Sequence, residues 1–341
     1  MVAVPAATID ETDGMSENAK KSWKRTPPPP SWIAKPLGVL VVALYWPVTK
    51  LFPNWWPRFV GRTVTKFLSE FPKTFEPGER DVLVCAYYKS GTNWTMQIAV
   101  QIAHRGRAEF EHIHDLVPWP DMSRRANYAV PLDAEDSQRA APTGLRIIKT
   151  HLALDDLPYS RAARYICVVR DPKDVFVSSY HFTRAMVLGS LMPSVGGWLD
   201  AFLSPDAPVG SWARHLASGW RRRDTGNVLF LTYESMRADL GAAVDKIAAF
   251  MNVKLEPEER AAVIERSSFA YMKKIEHKFD APGAPWADSK GSMMRRGESG
   301  RSAELLTAEQ QRHIDDHWRE ELARMGCDFA YDAAFSAASR R

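Results

Sequence analysis

The stretch YYKSGTNW, at residues 87–94, places a lysine, hydroxyl side chains and a glycine between an apolar run and a helix-like segment. A turn that leaves a parallel strand and enters a helix directs free backbone N–H groups at an anion. We therefore predict an oxyanion cradle at this turn. Lys89 provides its charge, Ser90 and Thr92 provide its hydroxyls, and Gly91 permits close approach of the backbone.

A histidine follows a lysine at the end of a second apolar run, LRIIK, residues 145–149. Lys149 and His151 are two residues apart, so their side chains point to the same side if the strand continues through His151. A histidine with a pKa near neutrality can take a proton from an attacking hydroxyl. A lone histidine is more often structural, but the adjacent lysine favours a catalytic base at His151.

The segment RYICVVRDPKDVFVSSYHF, residues 164–182, begins as an apolar strand and continues as a helix that opens with Asp-Pro-Lys-Asp. Arg170 falls at the carboxyl end of this strand, where the ligands of open α/β sheets bind. The alternative is a structural ion pair with Asp171 or Asp174. Ser178 lies further along the helix, and spacing alone leaves open whether it reaches the same ligand.

A basic loop, KGSMMRRGESGR at residues 290–301, contains the adjacent arginines Arg295 and Arg296 before Gly297. Neighbouring guanidinium groups and a glycine that permits close approach suit a phosphate group. Taken alone, the loop is better explained as a solvated basic segment. Its functional interpretation depends on the other motifs.

These motifs lie in a regular alternation of short apolar runs and helix-like segments. The strand candidates are 81–87, 145–149, 164–169 and 228–232. The helix candidates are 93–104, 173–187, 210–222, 238–251, 257–274 and 307–325, the last opening with a capping box from Thr307 to Gln310. This alternation predicts an α/β fold, a P-loop-like three-layer sandwich with a central parallel sheet and helices on both faces.

The chain divides into zones of different composition. Residues 1–31 are polar and proline-rich and predict a disordered tail, whereas residues 331–341 predict a flexible one. Between them we expect an aromatic and basic helical arm at residues 32–66 and the α/β domain at residues 67–330. The tryptophans and cations of the arm fit two interpretations. It is either a membrane-interfacial segment or an arm that packs on the domain and covers a substrate pocket.

Composition constrains the function less than the motifs do. The 341 residues carry a net charge of +4, which suits a polyanionic small ligand, a membrane surface or nucleic acid alike. Three cysteines are too few for a disulfide framework and indicate a reducing compartment. No secretory signal is evident, and the apolar run 36–49 is too short to span a bilayer as a helix. We expect a cytoplasmic protein, with peripheral membrane contact through residues 32–62 left open.

Together the motifs resemble those of the cytosolic-type sulfotransferases, which use 3′-phosphoadenosine 5′-phosphosulfate (PAPS), over about residues 67–325. YYKSGTNW is similar to the family's 5′-phosphosulfate loop, Tyr-Pro-Lys-Ser-Gly-Thr-Thr-Trp. RDPKDVFVSSYHF is similar to its 3′-phosphate element, and KTHL to the segment with its catalytic histidine. RRGESG is similar to the loop that closes over the nucleotide.

The resemblance implies in-line sulfuryl transfer from PAPS to a small-molecule acceptor, with no bound metal and no nucleic-acid partner. The implied catalytic residues are Lys89, Lys149 and His151. The implied nucleotide-binding residues are Lys89, Ser90, Gly91, Thr92, Asn93, Trp94, Arg170, Ser178, Tyr233, Ser267, Phe269, Met294, Arg295, Arg296 and Gly297.

The sequence departs from the family pattern in places. Tyr88 stands where the family has proline, and Asn93 where it has threonine. The Asp-Trp-Lys that follows the Arg-Lys-Gly loop in the family is missing, and that stretch helps to form the family's dimer contact. The oligomeric state is therefore left open.

Two other functions are considered. A P-loop kinase could use Asp171 as a Walker-B-like aspartate, but the Lys89 loop lacks the preceding glycine, and His151 would have no role. A membrane-surface binding protein could carry an inactive domain behind the arm. For a sulfotransferase, the aromatic content before residue 67 favours an apolar alcohol or phenol over a sugar polymer, and an amine acceptor stays open.

Overall fold

The computed structural model describes residues 31–67, 71–122, 128–134, 141–207, 209–280, 283–284, 286–287, 294–295, 297 and 299–335. The predicted tail 1–31 thus lies outside the described residues except for Ser31, and so does Arg296. Among the described residues, four strands form one parallel sheet in the order β2-β1-β3-β4. They are β1 (Asp81–Ala86), β2 (Arg146–Thr150), β3 (Arg164–Val169) and β4 (Val228–Thr232).

The strand order brings the predicted motifs together. In the register of the sheet, Val84 of β1 lies between Lys149 of β2 and Ile166 of β3. All four strands run the same way, so their carboxyl ends lie along one edge. The turn after β1, the histidine after β2 and the arginine after β3 are therefore neighbours in space, as expected for the ligand-binding edge of an open α/β sheet.

Helices cover both faces of this sheet. The helices of the described residues are α1 (Ser31–Leu51), α2 (Trp55–Phe67), α3 (Thr92–Ala103), α4 (Pro172–Thr183), α5 (Val195–Phe202), α6 (Trp212–Trp220), α7 (Tyr233–Ala238), α8 (Leu240–Phe250), α9 (Pro257–Arg266), α10 (Phe269–Lys274), α11 (Ala308–Arg324) and α12 (Tyr331–Phe335).

Alternate residues of the strands contribute to two separate apolar layers, one on each face of the sheet. On one face, Val82 and Ile166 belong to a buried cluster that also contains residues of α3, α8 and α9. On the other face, α6 approaches so closely at Gly219 that a Cβ there would lie 3.0 Å from Cys167. The predicted α/β fold, with its central parallel sheet and helices on both faces, is confirmed.

Some helix boundaries differ from the prediction. The segment 257–274, predicted as one helix, forms two, because the hydroxyl of Ser268 accepts the Tyr271 N–H at 3.2 Å and starts α10 as a new helix. Residues 331–335, assigned to a flexible tail, form α12, whose Tyr331 and Phe335 are buried against the domain. The capping box of Thr307 and Gln310 at the start of α11 is present as predicted.

Helices α1 and α2 make up the arm that precedes the domain. The indole of Trp56 in α2 is 4% exposed and donates a hydrogen bond to the Leu191 carbonyl at 2.8 Å, which fixes α2 on the domain. Helix α1 packs one stripe of side chains on the apolar cluster that contains Trp56 and buried residues of α4, α5 and α6, and leaves large apolar residues exposed on its other side. In the described part of the chain, no helix combines the length and apolarity needed to cross a membrane.

Candidate active site

The turn between β1 and α3 has the backbone geometry of a tight cradle. Lys89 has a positive φ of 64°, and Gly91, the residue that caps the start of α3, has a φ of 94°. The Ser90 N–H closes the turn by donating to the Tyr87 carbonyl at 2.9 Å. A Cβ at Gly91 would lie 2.7 Å from the ring of Tyr233, so both its conformation and its surroundings require glycine.

Buried hydroxyls at this turn have no protein partner. In the part of the chain that the structure describes, Ser90 Oγ and Thr92 Oγ1 of the turn are buried without a hydrogen bond, and so is Ser267 Oγ at the end of α9. A buried hydroxyl that forms no hydrogen bond is costly, because water is excluded and nothing replaces it. Such groups beside a lysine and a helix N-terminus fit the oxygen atoms of a bound anion.

The lysines of the site have unusual proton affinities. Burial, aided by the nearby charge of Arg170, lowers the pKa of Lys89 to about 7. Burial likewise lowers the pKa of Lys149 to about 7; the charge of Lys89 adds to this shift, and the Asp121 carboxylate opposes it. The Lys149 ammonium lies 3.2 Å from the centre of the Trp119 ring, and the Lys89 ammonium 4.1 Å from that of Phe182. Desolvated lysines of this kind attract a polyanion strongly.

His151 is held through both its backbone and its ring. Its Nδ1 is 2.8 Å from the Ala86 carbonyl, and its backbone N–H donates to Asp121 at 2.8 Å. With the proton on Nδ1, as this carbonyl contact favours, Nε2 is the ring atom able to accept a proton. Burial, followed by the charge of Lys149, lowers the pKa of His151 well below its usual value, so the ring is neutral at pH 7.

Asp121 is a site residue that the motifs did not reveal. It is fully buried, and burial raises the pKa of its carboxyl to about 6, although the hydrogen bond from His151 opposes this shift. It lies in the segment PWPD, which carries no recognisable catalytic pattern. Only the strand order, which brings the loop after α3 beside the end of β2, places it at the site.

The end of β3 is tied to the cradle. A guanidinium N–H of Arg170 donates to the Lys89 carbonyl at 3.4 Å, and the guanidinium carbon lies 4.4 Å from the centre of the Tyr233 ring. Arg170 also pairs with Asp174 at 3.8 Å. The structural ion pair and the position of Arg170 at the site are therefore both present. The Gly300 N–H donates to the same Asp174 carboxylate at 2.8 Å, which fastens the basic loop to the start of α4.

The basic loop also contributes residues to the site. Arg295 pairs with Glu304, and Gly297 has a φ of 65°. A Cβ at Gly297 would lie 2.4 Å from the Phe269 ring, so glycine allows the loop to cover that ring. Trp94 donates from its indole to the Ser267 carbonyl at 2.8 Å and meets Tyr233 edge-on at 5.4 Å between ring centres.

A single cavity of about 820 Å³ connects these groups. The predicted site residues that line it are Lys89, Gly91, Thr92, Asn93, Trp94, Lys149, His151, Arg170, Ser178, Tyr233, Phe269, Met294, Arg295 and Gly297. Ser90 and Ser267 lie next to lining residues and are fully buried. Arg301 also lines the cavity, which the sequence analysis did not predict.

The cavity has two parts with different chemistry. The sheet-edge part, at the carboxyl ends of β1, β2 and β3, contains Lys89, Lys149, His151 and Arg170. The arm part is lined by apolar residues of α2, of the end of α4 and its following π-helical turn, and of α5: Trp56, Phe59, Val60, Phe182, Met186, Val187, Leu188 and Trp198. Among the described residues, no group of three or more His, Cys, Asp or Glu side chains is arranged to hold a metal ion.

A parallel sheet whose carboxyl edge carries an oxyanion cradle, desolvated lysines and a neutral histidine defines a group-transferring α/β enzyme that handles an anionic donor. Residues 79–326 match the sulfotransferase domain family, and the chain belongs to that family. The predicted enzyme class is therefore confirmed, and the kinase alternative is not supported.

Known sulfotransferases are similar over most of their length. Mouse (Mus musculus) sulfotransferase 1B1 is 30% identical over 276 residues, which cover 78% of this chain and 89% of that protein. Sulfotransferase 2A1 of Macaca fascicularis is 29% identical over 278 residues, covering 80% and 92%. The amine sulfotransferase of Oryctolagus cuniculus is 30% identical over 274 residues, covering 76% and 86%.

Solved structures share the fold. Retinol dehydratase in a complex with retinol and PAP has a TM-score of 0.61 at 21% identity, covering 79% of this chain and 88% of that one. Mouse sulfotransferase SULT7A1 complexed with PAP has a TM-score of 0.54 at 24% identity, covering 76% and 88%. At these identities the likeness establishes the fold.

Proposed function

We propose that the protein transfers the sulfuryl group of PAPS to the hydroxyl of a small apolar acceptor, with His151 as the base. The observation that carries this proposal is the arrangement at the sheet edge. Two desolvated lysines, a neutral histidine and the unpartnered hydroxyl of Thr92 lie along one cavity, and the unpartnered hydroxyls of Ser90 and Ser267 belong to residues next to its lining. The family membership supports the reaction class.

The cradle suits the 5′ end of the donor. Ser90 and Thr92 offer hydroxyls that lack partners, and Lys89 offers a charge beside the N-terminus of α3. Arg170, with Ser178 and the basic loop, is proposed to hold the 3′-phosphate, and Trp94, Tyr233 and Phe269 to hold the adenine. The solved structures of the same fold named above were determined with PAP, the desulfated nucleotide, which agrees with this assignment.

PAPS supplies an activated sulfuryl group attached to a phosphate that can leave. The protein's part is to position and neutralise. His151 accepts the acceptor's hydroxyl proton at Nε2, while the Ala86 carbonyl holds Nδ1 and fixes the ring. Lys149 stabilises the negative charge on the sulfuryl oxygens, and Lys89 that on the departing phosphate. Because Lys89 can neutralise this charge, we propose that the reaction needs no bound metal.

The arm part of the cavity favours an uncharged, apolar acceptor. Among the described lining residues the only carboxylate is that of Asp174, which is already engaged by Arg170 and the Gly300 N–H. A protonated amine would therefore enter an apolar space without a counter-ion, at a large desolvation cost. Retinol and androsterone occupy retinol dehydratase structures of the same fold, in keeping with an apolar acceptor. The cytoplasmic location stays a prediction of the sequence, and the oligomeric state stays open.

The experiment is a transfer assay with radiolabelled PAPS and the purified full-length chain, using panels of phenols, apolar alcohols and alkylamines. We expect label on phenols or apolar alcohols, unchanged rates after chelation of metals, and labelling at least about a hundred-fold slower with the His151→Ala variant. Preferential labelling of amines, or equal labelling by the variant, would overturn the proposal. Transfer of phosphate from labelled ATP to the same acceptors would instead restore the kinase alternative.

A further inference from the structure

The arm carries an exposed apolar surface that the proposed reaction does not use. In the described part of the chain, the large apolar side chains that are exposed lie between residues 32 and 55, except for Tyr159 and Phe269. Trp32 is 74% exposed and Leu51 71%. Single exposed apolar residues are common on proteins, but a continuous group of them marks an interaction site.

Helix α1 is apolar on two opposite sides. Val41, Val42, Tyr45 and Val48 form the inner stripe that packs on the domain. Val39 and Leu40, 70% and 65% exposed, lie on the opposite side of the helix, as its period of 3.6 residues requires, and Leu44, 65% exposed, lies on the flank between the two sides. A helix that covers a domain normally has a polar outer side. The outer side of α1 therefore fits a second apolar environment.

The charge of the arm indicates what that environment is. Residues 31–67 contain five basic and no acidic residues. Lys50 lies 5.6 Å from the ring centre of Trp46, and tryptophans also occupy positions 32 and 55. Apolar side chains flanked by tryptophans and cations suit the boundary between lipid tails and anionic headgroups. A second copy of the chain fits poorly, because it would bring like charges together.

We propose that the arm surface, meaning the exposed apolar residues of 32–55 with Lys35 and Lys50, binds peripherally to an anionic phospholipid membrane. Helix α1 lies along the membrane, because its inner stripe is held against the domain. The inner side of α2 lines the cavity through Trp56, Phe59 and Val60. Docking would thus bring the arm part of the cavity beside the lipid, from which an apolar acceptor could enter. This last consequence rests on the proposed function, whereas the docking itself does not.

The test is flotation of the full-length chain with phosphatidylcholine vesicles that contain or lack phosphatidylserine. We expect binding to the anionic vesicles that weakens as salt is added. Replacing two arm lysines, in Lys35→Gln with Lys50→Gln, should weaken this binding about thirty-fold. The matched control, Lys246→Gln with Lys254→Gln, removes two exposed lysines of the domain and should leave binding unchanged.

A second variant tests the apolar contact. Leu40→Glu with Leu44→Glu changes side chains that are already exposed, so the thermal unfolding midpoint should stay the same while flotation is lost. Flotation by this variant at the wild-type level, or no flotation of the wild type at low salt, would overturn the proposal. So would a wild-type dimer that this variant dissociates, since the surface would then bind a second copy. Sulfuryl transfer to a water-soluble phenol, measured on the same samples, separates a failure of docking from a failure of the proposed function.

Discussion

The two parts of the cavity are built in different ways. The sheet-edge part is assembled from turns that follow buried strands, and its charged groups are desolvated, so that two lysines have a pKa of about 7. The arm part is assembled from helix surfaces, including α2, and contributes apolar area without a catalytic group. In the proposed function, the sheet edge therefore provides the groups for the reaction, and the arm part selects the acceptor.

This difference separates two kinds of mutational effect. Changes at the sheet edge should alter turnover or nucleotide affinity, because they remove charge or proton transfer. Changes in the arm part should alter the acceptor KM and leave the nucleotide affinity alone.

The largest effect is expected for His151→Ala. Loss of a positioned base typically costs ~10²–10⁴ in rate, so turnover should fall by at least about a hundred-fold while the Kd for adenosine 3′,5′-bisphosphate (PAP) changes little. Single-turnover kinetics and calorimetric titration measure the two quantities. His313→Ala, an exposed histidine on α11, is the control and should behave as wild type. Normal turnover by His151→Ala would show that His151 is not the catalytic base.

Gly91→Ala should reduce nucleotide affinity more than most single-methyl changes. Its φ of 94° is unfavourable for alanine, and the new methyl group would lie 2.7 Å from Tyr233. Overpacking of this kind costs about 1–3 kcal/mol. If this cost appears in nucleotide binding, PAP affinity falls about ten- to hundred-fold. Gly226→Ala has a similar φ of 80° with nothing nearby, so it should show only the backbone cost, about 1–2 kcal/mol in unfolding free energy. Equal PAP affinities in the two variants would contradict the cradle.

The affinity for PAP should depend on pH near neutrality. In the free protein Lys89 and Lys149 have a pKa of about 7, so both lose their protons as the pH rises through this value. A bound phosphate prefers the protonated form of Lys89, so PAP affinity should fall by up to about ten-fold per pH unit above about pH 7. Lys149 should contribute less, because the sulfuryl group that it is proposed to contact is missing from PAP. Titration in buffers of different ionisation enthalpy should show proton uptake on binding. A flat profile between about pH 6 and about pH 8 would contradict the assigned role of Lys89.

The smallest effect is expected in the arm part. Phe59→Ala removes a lining ring of α2 and should raise the KM for an apolar acceptor about ten-fold, since the lost burial is worth about 1.5 kcal/mol. The PAP affinity should not change. Phe52→Ala, which removes an exposed ring of the arm that does not line the cavity, should leave both values unchanged in solution. A change in PAP affinity with Phe59→Ala would mean that the two parts of the cavity are not separable.

Much of the sheet edge could be predicted from the sequence, because its chemistry depends on local patterns. Each apolar run predicts a strand, and the residue that follows it predicts which side chain lies at the carboxyl end of that strand. These residues are Lys89, His151 and Arg170. The parallel order of the strands then makes these groups neighbours. The strand boundaries follow equally directly, since almost wholly apolar runs can only be buried strands in this alternation.

The parts that could not be predicted depend on contacts between distant segments. Asp121 contacts His151 only because the loop after α3 lies beside the end of β2, and no spacing in the sequence indicates this. The helix boundary at Ser268 could not be predicted from hydrophobic periodicity. It arises because the Ser268 hydroxyl accepts a backbone N–H, and this hydrogen bond competes with continuation of the helix. The residues of α2 that line the cavity have the same apolar character as those that face solvent in α1, so burial alone distinguishes them.

The most direct test of the central claim is calorimetric titration of the purified protein with PAP, ATP and AMP. A site with separate groups for the 5′- and 3′-phosphates predicts tight binding of PAP and much weaker binding of ATP and AMP. Binding of ATP with magnesium as tightly as PAP would contradict the claim and leave Arg295 and its loop without a role.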